Sequence, residues 1–319
     1  MAGYSMALAG FCAGSDRAPG YPVAFAIEPT NICNLRCPLC ATGAGLLKRP
    51  KGAMRCHDFV RIIDRLPRSV TDIYLWGQGE PFLAPDFLKM AAYAYNRGLV
   101  AHVSTNGHFL EDTSGIIASG IHRLIVSLDG MDERSYSAYR TGGDFHRVTK
   151  GIQMLAVEKK MLGKGPLIEI QCLVTRENAG DLGDFTTFAR SIGADRVVFK
   201  TLQAAFCEQG KSLLPDRLSL TRYRNDGTGK LVPDTMKFLR NRCLRIYYNF
   251  QVDWQGNVLP CCFDKDSTYI MGNLLSETME HIWNSGAYRS FRKNLREKGR
   301  VLPMCSDCTE GLKRLTVHG

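Results

Sequence analysis

The sequence predicts an α/β protein: a partial (β/α)6 TIM-type barrel followed by a small, cysteine-rich C-terminal domain. Two observations predict the first part and one the second. From about Tyr21 to Gln203, short β-branched runs alternate about six times with longer amphipathic stretches. That is the pattern of a parallel sheet with helical right-handed crossovers, either doubly wound or closing into a barrel. Six units are fewer than the eight of a complete barrel, hence a partial one. Within the runs, alternate residues differ in polarity, as strands with two unlike faces require. The second part is marked by its thiols: of 12 cysteines in 319 residues, Cys243, Cys261, Cys262, Cys305 and Cys308 fall in the last quarter.

The strands are read at "VAFAIEP", "DIYLWG", "AHVSTN", "RLIVSLD", "IEIQCLV" and "RVVFKTL", and the intervening helices at "HDFVRIIDRL", "PDFLKMAAYAYNRG" and "HRVTKGIQMLAVEKKM". Residues 1–20 are a tail, 21–205 the barrel, 206–240 a polar connector punctuated by Gly and Pro with one helix, and 241–319 the cysteine-bearing domain. If alternate residues face inward, one face carries Glu28, Tyr74, Trp76, His102, Ser104, Asn106, Ser127, Asp129, Glu169, Gln171 and Lys200. The other is mostly Ile, Leu, Val and Phe. A sealed core would turn its apolar residues inward, so a polar lumen on this scale implies a cavity for a polar ligand. A slip of one residue inverts the assignment.

Composition narrows the class. An apolar fraction of 45% is ordinary for a globular chain and excludes disorder. No run is long enough to cross a bilayer. The net charge of +10 is dispersed, and its densest stretch, "YRSFRKNLREKGR", reads as a solvated helix face, so neither a membrane nor nucleic acid is expected as a partner. A positive surface also suits an anionic substrate or an acidic reductant. The chain is large for a disulfide framework, and "MAGYSMALAGFCAG" lacks the basic start of an export signal. A cytoplasmic metalloprotein is expected, with Cys12, Cys56, Cys172 and Cys207 acting mainly as small apolar residues.

The chemistry starts at "EPTNICNLRCPLCATG", where Cys33, Cys37 and Cys40 are spaced C-x3-C-x2-C. Three thiols cannot pair off as disulfides. Zinc is one occupant, since C-x2-C is half of a common zinc site, but it needs a ligand from elsewhere. An iron–sulfur cluster is the other, and three thiolates on a four-iron cluster leave one iron open for a substrate or cofactor. With its position just after the first strand, this triad resembles that of the radical S-adenosylmethionine (SAM) superfamily. The resemblance implies that Cys33, Cys37 and Cys40 hold a [4Fe-4S] cluster whose fourth iron is chelated by the amino and carboxylate groups of SAM. The residue before the third cysteine, often aromatic in that family, is Leu39 here, which affects packing around the adenine.

"GQGEP" after the second strand looks like the family's GGEP-type loop, so Gly77, Gln78, Gly79 and Glu80 are expected to orient the SAM amino group, glycine letting the main chain come close. "STNG" and "SLDG" end the third and fourth strands, which makes Ser104, Asn106, Ser127 and Asp129 candidates for ribose and methionine contacts. Arg140 in "AYRTGGDF" matches an arginine that pairs with the SAM carboxylate. Each motif alone is weak; their order after the triad is specific.

The C-terminal thiols resemble the opening of SPASM-type auxiliary cluster domains: Cys243, then Gly256, then Cys261, with "CSDC" at Cys305 and Cys308. No further cysteine follows, which matches the shortened twitch form with one auxiliary [4Fe-4S] cluster. The resemblance implies Cys243, Cys261, Cys305 and Cys308 as its ligands, with Cys262 able to replace Cys261; a zinc ribbon is the competing reading.

By resemblance, a flavodoxin- or ferredoxin-type reductant delivers the electron that cleaves SAM to a 5′-deoxyadenosyl radical, which then removes a hydrogen atom from the substrate. Twitch-bearing dehydrogenases of aminocyclitol antibiotic pathways and nucleoside-sugar enzymes are similar in plan. The expected substrate is therefore a small polar sugar-, nucleoside-sugar- or cyclitol-like molecule, undergoing dehydrogenation, diol dehydration or decarboxylation by an oxidoreductase or lyase of antibiotic biosynthesis. Lys200 is placed to bind a carboxylate and Glu169 to take a hydroxyl proton, unless the two form a structural ion pair. One alternative is a maturase of a ribosomal peptide, against which stands the short stretch of about twenty residues before the first strand. Another is an iron–sulfur electron carrier, which would leave the GQGEP and SLDG loops unexplained.

Overall fold

The computed structural model of the protein describes residues 2–203, 208–236, 242–299, 301–305 and 308–317. The six expected strands form: β1 (Ala24–Ile27), β2 (Asp72–Leu75), β3 (Val100–Thr105), β4 (Arg123–Ser127), β5 (Leu167–Val174) and β6 (Arg196–Thr201). Between and after them lie helices Cys56–Asp64, Phe87–Asn96, Thr113–Ala118, Phe145–Leu162, Leu182–Ser191 and the short Glu208–Ser212. Further strands are β7 (Tyr223–Asn225), β8 (Leu231–Pro233), β9 (Asn249–Val252), β10 (Asn257–Leu259), β11 (Gly272–Asn273) and β12 (Thr316–Val317). Residues 206 and 207, where the connector begins, lie outside the described residues, as do 237–241 across its end. The part that is described holds the β7–β8 hairpin as well as the expected helix.

The helices form where side chains recur every third or fourth residue. Helix Cys56–Asp64 buries Phe59, Ile62 and Ile63. Helix Phe145–Leu162 buries Phe145, Val148, Ile152 and Leu155; it starts at Asp144, whose side chain accepts from Arg147 N, and stops at Gly163 in the left-handed region. The segment read as a tail is helical over Ala2–Cys12.

The chain divides into two compact units, and β3 divides with it at His102. The first comprises Met1–Ile32, Leu47–His102 and Lys237–Glu310. Its strands run in the order β11-β10-β9-β1-β2, with β1 parallel to both β2 and β9 and β9–β10 an antiparallel hairpin. The cysteine-bearing region thus extends the sheet of β1. Phe25 stacks on Phe250 with centroids 5.1 Å apart, and Trp283 Nε1 donates to Gly20 O at 2.7 Å.

The second unit comprises Cys33–Leu46, Val103–Met236 and Gly311–Gly319. Its strands run β4-β5-β6-β12, parallel through β6, with β12 antiparallel on the edge. Strand polarity follows the expected period: in β3, Ala101, Val103 and Thr105 are buried while His102 and Ser104 are half-buried. Among the described residues, no helix is long and apolar enough to cross a membrane.

Candidate functional site

In the second unit the loop Cys33–Leu46 carries the three N-terminal thiols. Its shape is set by main-chain bonds: Arg36 N to Thr141 O at 2.9 Å, Cys40 N to Cys37 O at 3.2 Å and Ala44 N to Cys40 O at 2.8 Å. Gly43 passes so close that a Cβ there would lie 2.6 Å from Cys37 N. Leu35, Cys37, Leu39, Tyr139, Leu202, Leu214 and Tyr223 form one buried cluster, and Cys33, Cys40 and Leu173 pack against it. Burial, foremost, raises the Cys37 thiol above its ordinary value, with Arg140 opposing. A cofactor that replaces the thiol proton with iron removes that conflict.

The strand ends bring polar groups to this loop. Asn106, just past β3, donates from Nδ2 to Asn34 Oδ1 at 2.8 Å and lies 3.9 Å from Cys33 Sγ. Its Oδ1 accepts from His108 N at 3.1 Å. Asp129, just past β4 and 2% exposed, accepts from Leu173 N at 2.7 Å and from Arg140 Nε at 2.5 Å. Arg140 Nη1 stands 3.9 Å from Cys37 Sγ. Arg140, expected at a ligand carboxylate, therefore spans Asp129 and Cys37. Ser104 and Ser127 are half-buried on β3 and β4.

Glu169 is 4% exposed, and its Oε2 lies 3.6 Å from Arg123 Nη1 and 3.5 Å from Arg196 Nη1. It sits near the start of β5, opposite Arg196 at the start of β6. Lys200 lies four residues further along β6, opposite Leu173. Burial holds the Lys200 amine below its ordinary value, with Glu169 pulling the other way and Arg123 adding to the drop.

In the first unit, the GQGEP loop is built against the end of β1. Gly79 has φ +87°, and a Cβ there would lie 2.6 Å from Thr30 O and 2.7 Å from Ile32 O, so only glycine fits. Glu80 N donates to Ile32 O at 2.8 Å. The Glu80 side chain accepts from Phe82 N at 3.2 Å, capping the 3-10 turn Pro81–Leu83. Gln78 N donates to Glu28 Oε2 at 2.8 Å. Glu28 is held in turn by Arg49, at 2.7 Å from Nη1 and 2.5 Å from Nη2, while Arg49 Nε donates to Lys265 O at 2.6 Å. Arg49 is a supporting residue that sequence reasoning missed, since nothing in "LLKRPKG" marks it.

The C-terminal thiols also belong to the first unit. Cys243 is followed by the 3-10 turn Arg245–Tyr247 and the β9–β10 hairpin, whose tip is tied by Asp253: it accepts from Gln255 N at 2.9 Å, Asn257 N at 3.0 Å and Ser267 Oγ at 2.8 Å. Gly256 takes φ +83° there. Cys261, 6% exposed, and Cys262 follow β10. Arg245 Nη1 lies 3.3 Å from Cys262 Sγ, and Arg245 Nε lies 3.7 Å from Glu310 Oε2. Bonding to the Cys261 thiol, with the Arg245 guanidinium adding to it and burial opposing, holds the Cys262 thiol below its ordinary value, while Cys261 rises. Glu310 N donates to Cys308 Sγ at 3.3 Å. Residues 306 and 307, inside "CSDC", and Cys207 lie outside the described residues. Among the described residues, no three His, Cys, Asp or Glu side chains converge on a point suited to a single ion; a four-iron cube holds its ligands further apart.

The family pattern described as the radical SAM superfamily matches residues 27–159, and that of the SPASM iron-sulfur cluster-binding domain matches residues 243–309. The chain is a radical SAM enzyme with a C-terminal SPASM-type domain. It folds as the expected α/β partial barrel, and its cofactors are SAM, a [4Fe-4S] cluster and the auxiliary iron–sulfur centre that a SPASM domain carries.

It is 25% identical over 311 residues to the tungsten-containing aldehyde ferredoxin oxidoreductase cofactor-modifying protein of Pyrococcus furiosus, covering 89% of this chain and 86% of that one. It is 26% identical over 301 residues to the mycofactocin maturase MftC of Mycobacterium tuberculosis, covering 87% and 74%. It is 25% identical over 316 residues to the PqqA peptide cyclase of Streptomyces rochei, covering 93% and 84%. Among solved structures, Streptococcus suis SuiB bound to S-adenosylmethionine aligns with TM-score 0.66 at 15% identity, over 91% of this chain and 73% of that one. BtrN in complex with AdoMet and 2-DOIA aligns with TM-score 0.55 at 18%, over 90% and 93%. At these identities the structural likeness is one of fold.

Proposed function

We propose that this chain is a maturase, removing a hydrogen atom from a peptide or from a cofactor precursor built from one. The observation that carries this is coverage: the cofactor-modifying protein, the maturase and the peptide cyclase match over 89%, 87% and 93% of this chain, far more than a shared radical SAM region of residues 27–159 would need. The expectation of a free sugar, nucleoside sugar or cyclitol has only fold likeness behind it and gives way to the peptide alternative.

Cys33, Cys37 and Cys40 would hold the N-terminal cluster, with Asn106 and Arg140 beside two of their sulfurs and the Leu35–Leu39–Tyr139 cluster excluding water. When bound, the cluster and SAM together supply the hydrogen-abstracting radical. Gly77 and Gly79 let the loop main chain approach the SAM amino group, while Gln78 and Glu80 hold the loop in shape, one by its main chain and the other by its cap. Ser104, Ser127 and Asp129 line the strand ends that would take the ribose and methionine. Arg140 steadies Asp129 and the Cys37 thiolate. Lys200 would pair with a substrate carboxylate, and Glu169, between two arginines, acts as a structural counter-charge. Cys243, Cys261, Cys305 and Cys308 would hold one auxiliary cluster, with Arg245 neutralising Cys262.

The test is anaerobic turnover of reconstituted protein with SAM and dithionite, offering peptides encoded beside its gene in one arm and a polyol and nucleoside panel in the other. Release of 5′-deoxyadenosine that depends on a peptide and is matched by a mass loss in it supports the proposal. Release driven by the small molecules alone overturns it.

A further inference from the structure

A cavity of about 110 Å³ in the first unit is lined by Phe11, Cys243, Tyr247 and three arginines, Arg242, Arg292 and Arg296. Among the described residues, no carboxylate lines it. Its floor is built: Arg292 is 1% exposed, donates from Nε to Ile246 O at 3.2 Å and from Nη1 to Trp283 O at 2.9 Å, and its Nη2 is buried with no hydrogen-bond partner. Its rim is exposed. Arg242 lies over the Phe11 ring, Cζ 4.1 Å from the centroid, and Arg296 holds Gly14 O. Among the described residues, Asp16 pairs with Arg289 at 3.6 Å and Glu297 with Arg296 at 3.3 Å, both at the exposed surface, where pairs neutralise little, while Glu310, which acts on Cys243, is held 3.7 Å from Arg245.

Three guanidiniums around a small hollow form an anion site. The volume is below the roughly 300–1,000 Å³ of small-molecule pockets, so it suits one carboxylate rather than a nucleotide. Cys243 lines the same hollow, so whatever docks there comes within a residue of the auxiliary centre. We propose that this cavity is where an acidic electron-donor protein docks, seating one of its carboxylates among Arg242, Arg292 and Arg296 and passing its electron in beside Cys243. This rests on Cys243 being an auxiliary-cluster ligand. The chain's +10 charge supplies the long-range attraction, and the hollow supplies the register.

The experiment follows bleaching of the cluster absorbance when anaerobic holoenzyme is mixed with reduced flavodoxin, and separately with dithionite. Arg296→Glu and Arg242→Gln are compared with the wild type and with Lys164→Glu, an exposed lysine of the second unit. The proposal expects reduction by flavodoxin to slow about tenfold in the first two and to lose salt dependence, with dithionite unaffected and Lys164→Glu normal. Unchanged reduction by flavodoxin in both arginine variants overturns it, as does equal slowing with both reductants or in Lys164→Glu. Whether dithionite-reduced wild type cleaves SAM is scored separately and bears on the parent reading alone.

Discussion

Gly79 shows how tightly single residues are bound to this chemistry. Its positive φ and the carbonyls of Thr30 and Ile32 leave no room for a methyl group. Gly79→Ala forces the loop off β1, costing about 1–3 kcal/mol of strain, and is expected to weaken SAM binding at least tenfold as read by equilibrium dialysis, with N-terminal iron retained. Arg140 answers differently. Removing it in Arg140→Ala strands Asp129 as a buried, unpaired carboxylate, a loss of about 3–5 kcal/mol; Arg140→Lys restores charge without the fork and recovers part of the melting temperature. Glu28 was legible as an inward polar residue, but Arg49 was not, because a residue 21 positions on carries no local pattern. Arg245 is a further case: its role at Cys262 shows only once the turn after Cys243 brings it back. Asn106 and Asp129, by contrast, stand at strand ends where period two and the motif order already placed them.

At the scale of elements, the six barrel strands were readable because each is a short β-branched run bounded by turn residues. The helix Ala2–Cys12 was not, since Ala, Gly and Met around its whole circumference give no apolar stripe to read. The β7–β8 hairpin was lost in a polar stretch whose strands are three residues each. The auxiliary hairpin is the element most open to test. Asp253, fully buried, ties its tip, so Asp253→Ala leaves several donors without a partner at about 1–3 kcal/mol apiece for those that stay buried. Loosening the tip displaces Cys261. The variant is expected to fall from about eight irons per chain toward about four, losing the auxiliary centre first, as iron analysis and Mössbauer spectra would show. Cys261→Ala should do the same, whereas Cys262→Ala should keep the full count.

For the whole molecule, the sequence carried the class of chemistry, whereas for the substrate the relatives favour its peptide alternative over its main reading. Cysteine spacing and loop motifs are local, and they report the cofactor that every member of the superfamily shares. In the proposed reading substrate choice rests on side chains such as Lys200, whose meaning depends on partners far along the chain. Glu169, for example, has Arg123 at 3.6 Å and Arg196 at 3.5 Å, neighbours that favour the proposed counter-charge over a base and that no local pattern announces. The most direct measurement of the central claim is anaerobic SAM cleavage by dithionite-reduced protein, wild type against Cys33→Ala. The wild type is expected to release 5′-deoxyadenosine and methionine, while Cys33→Ala releases neither and binds about four fewer irons. Wild-type protein that holds its iron and leaves SAM intact, or a Cys33→Ala variant that cleaves it, would contradict the account.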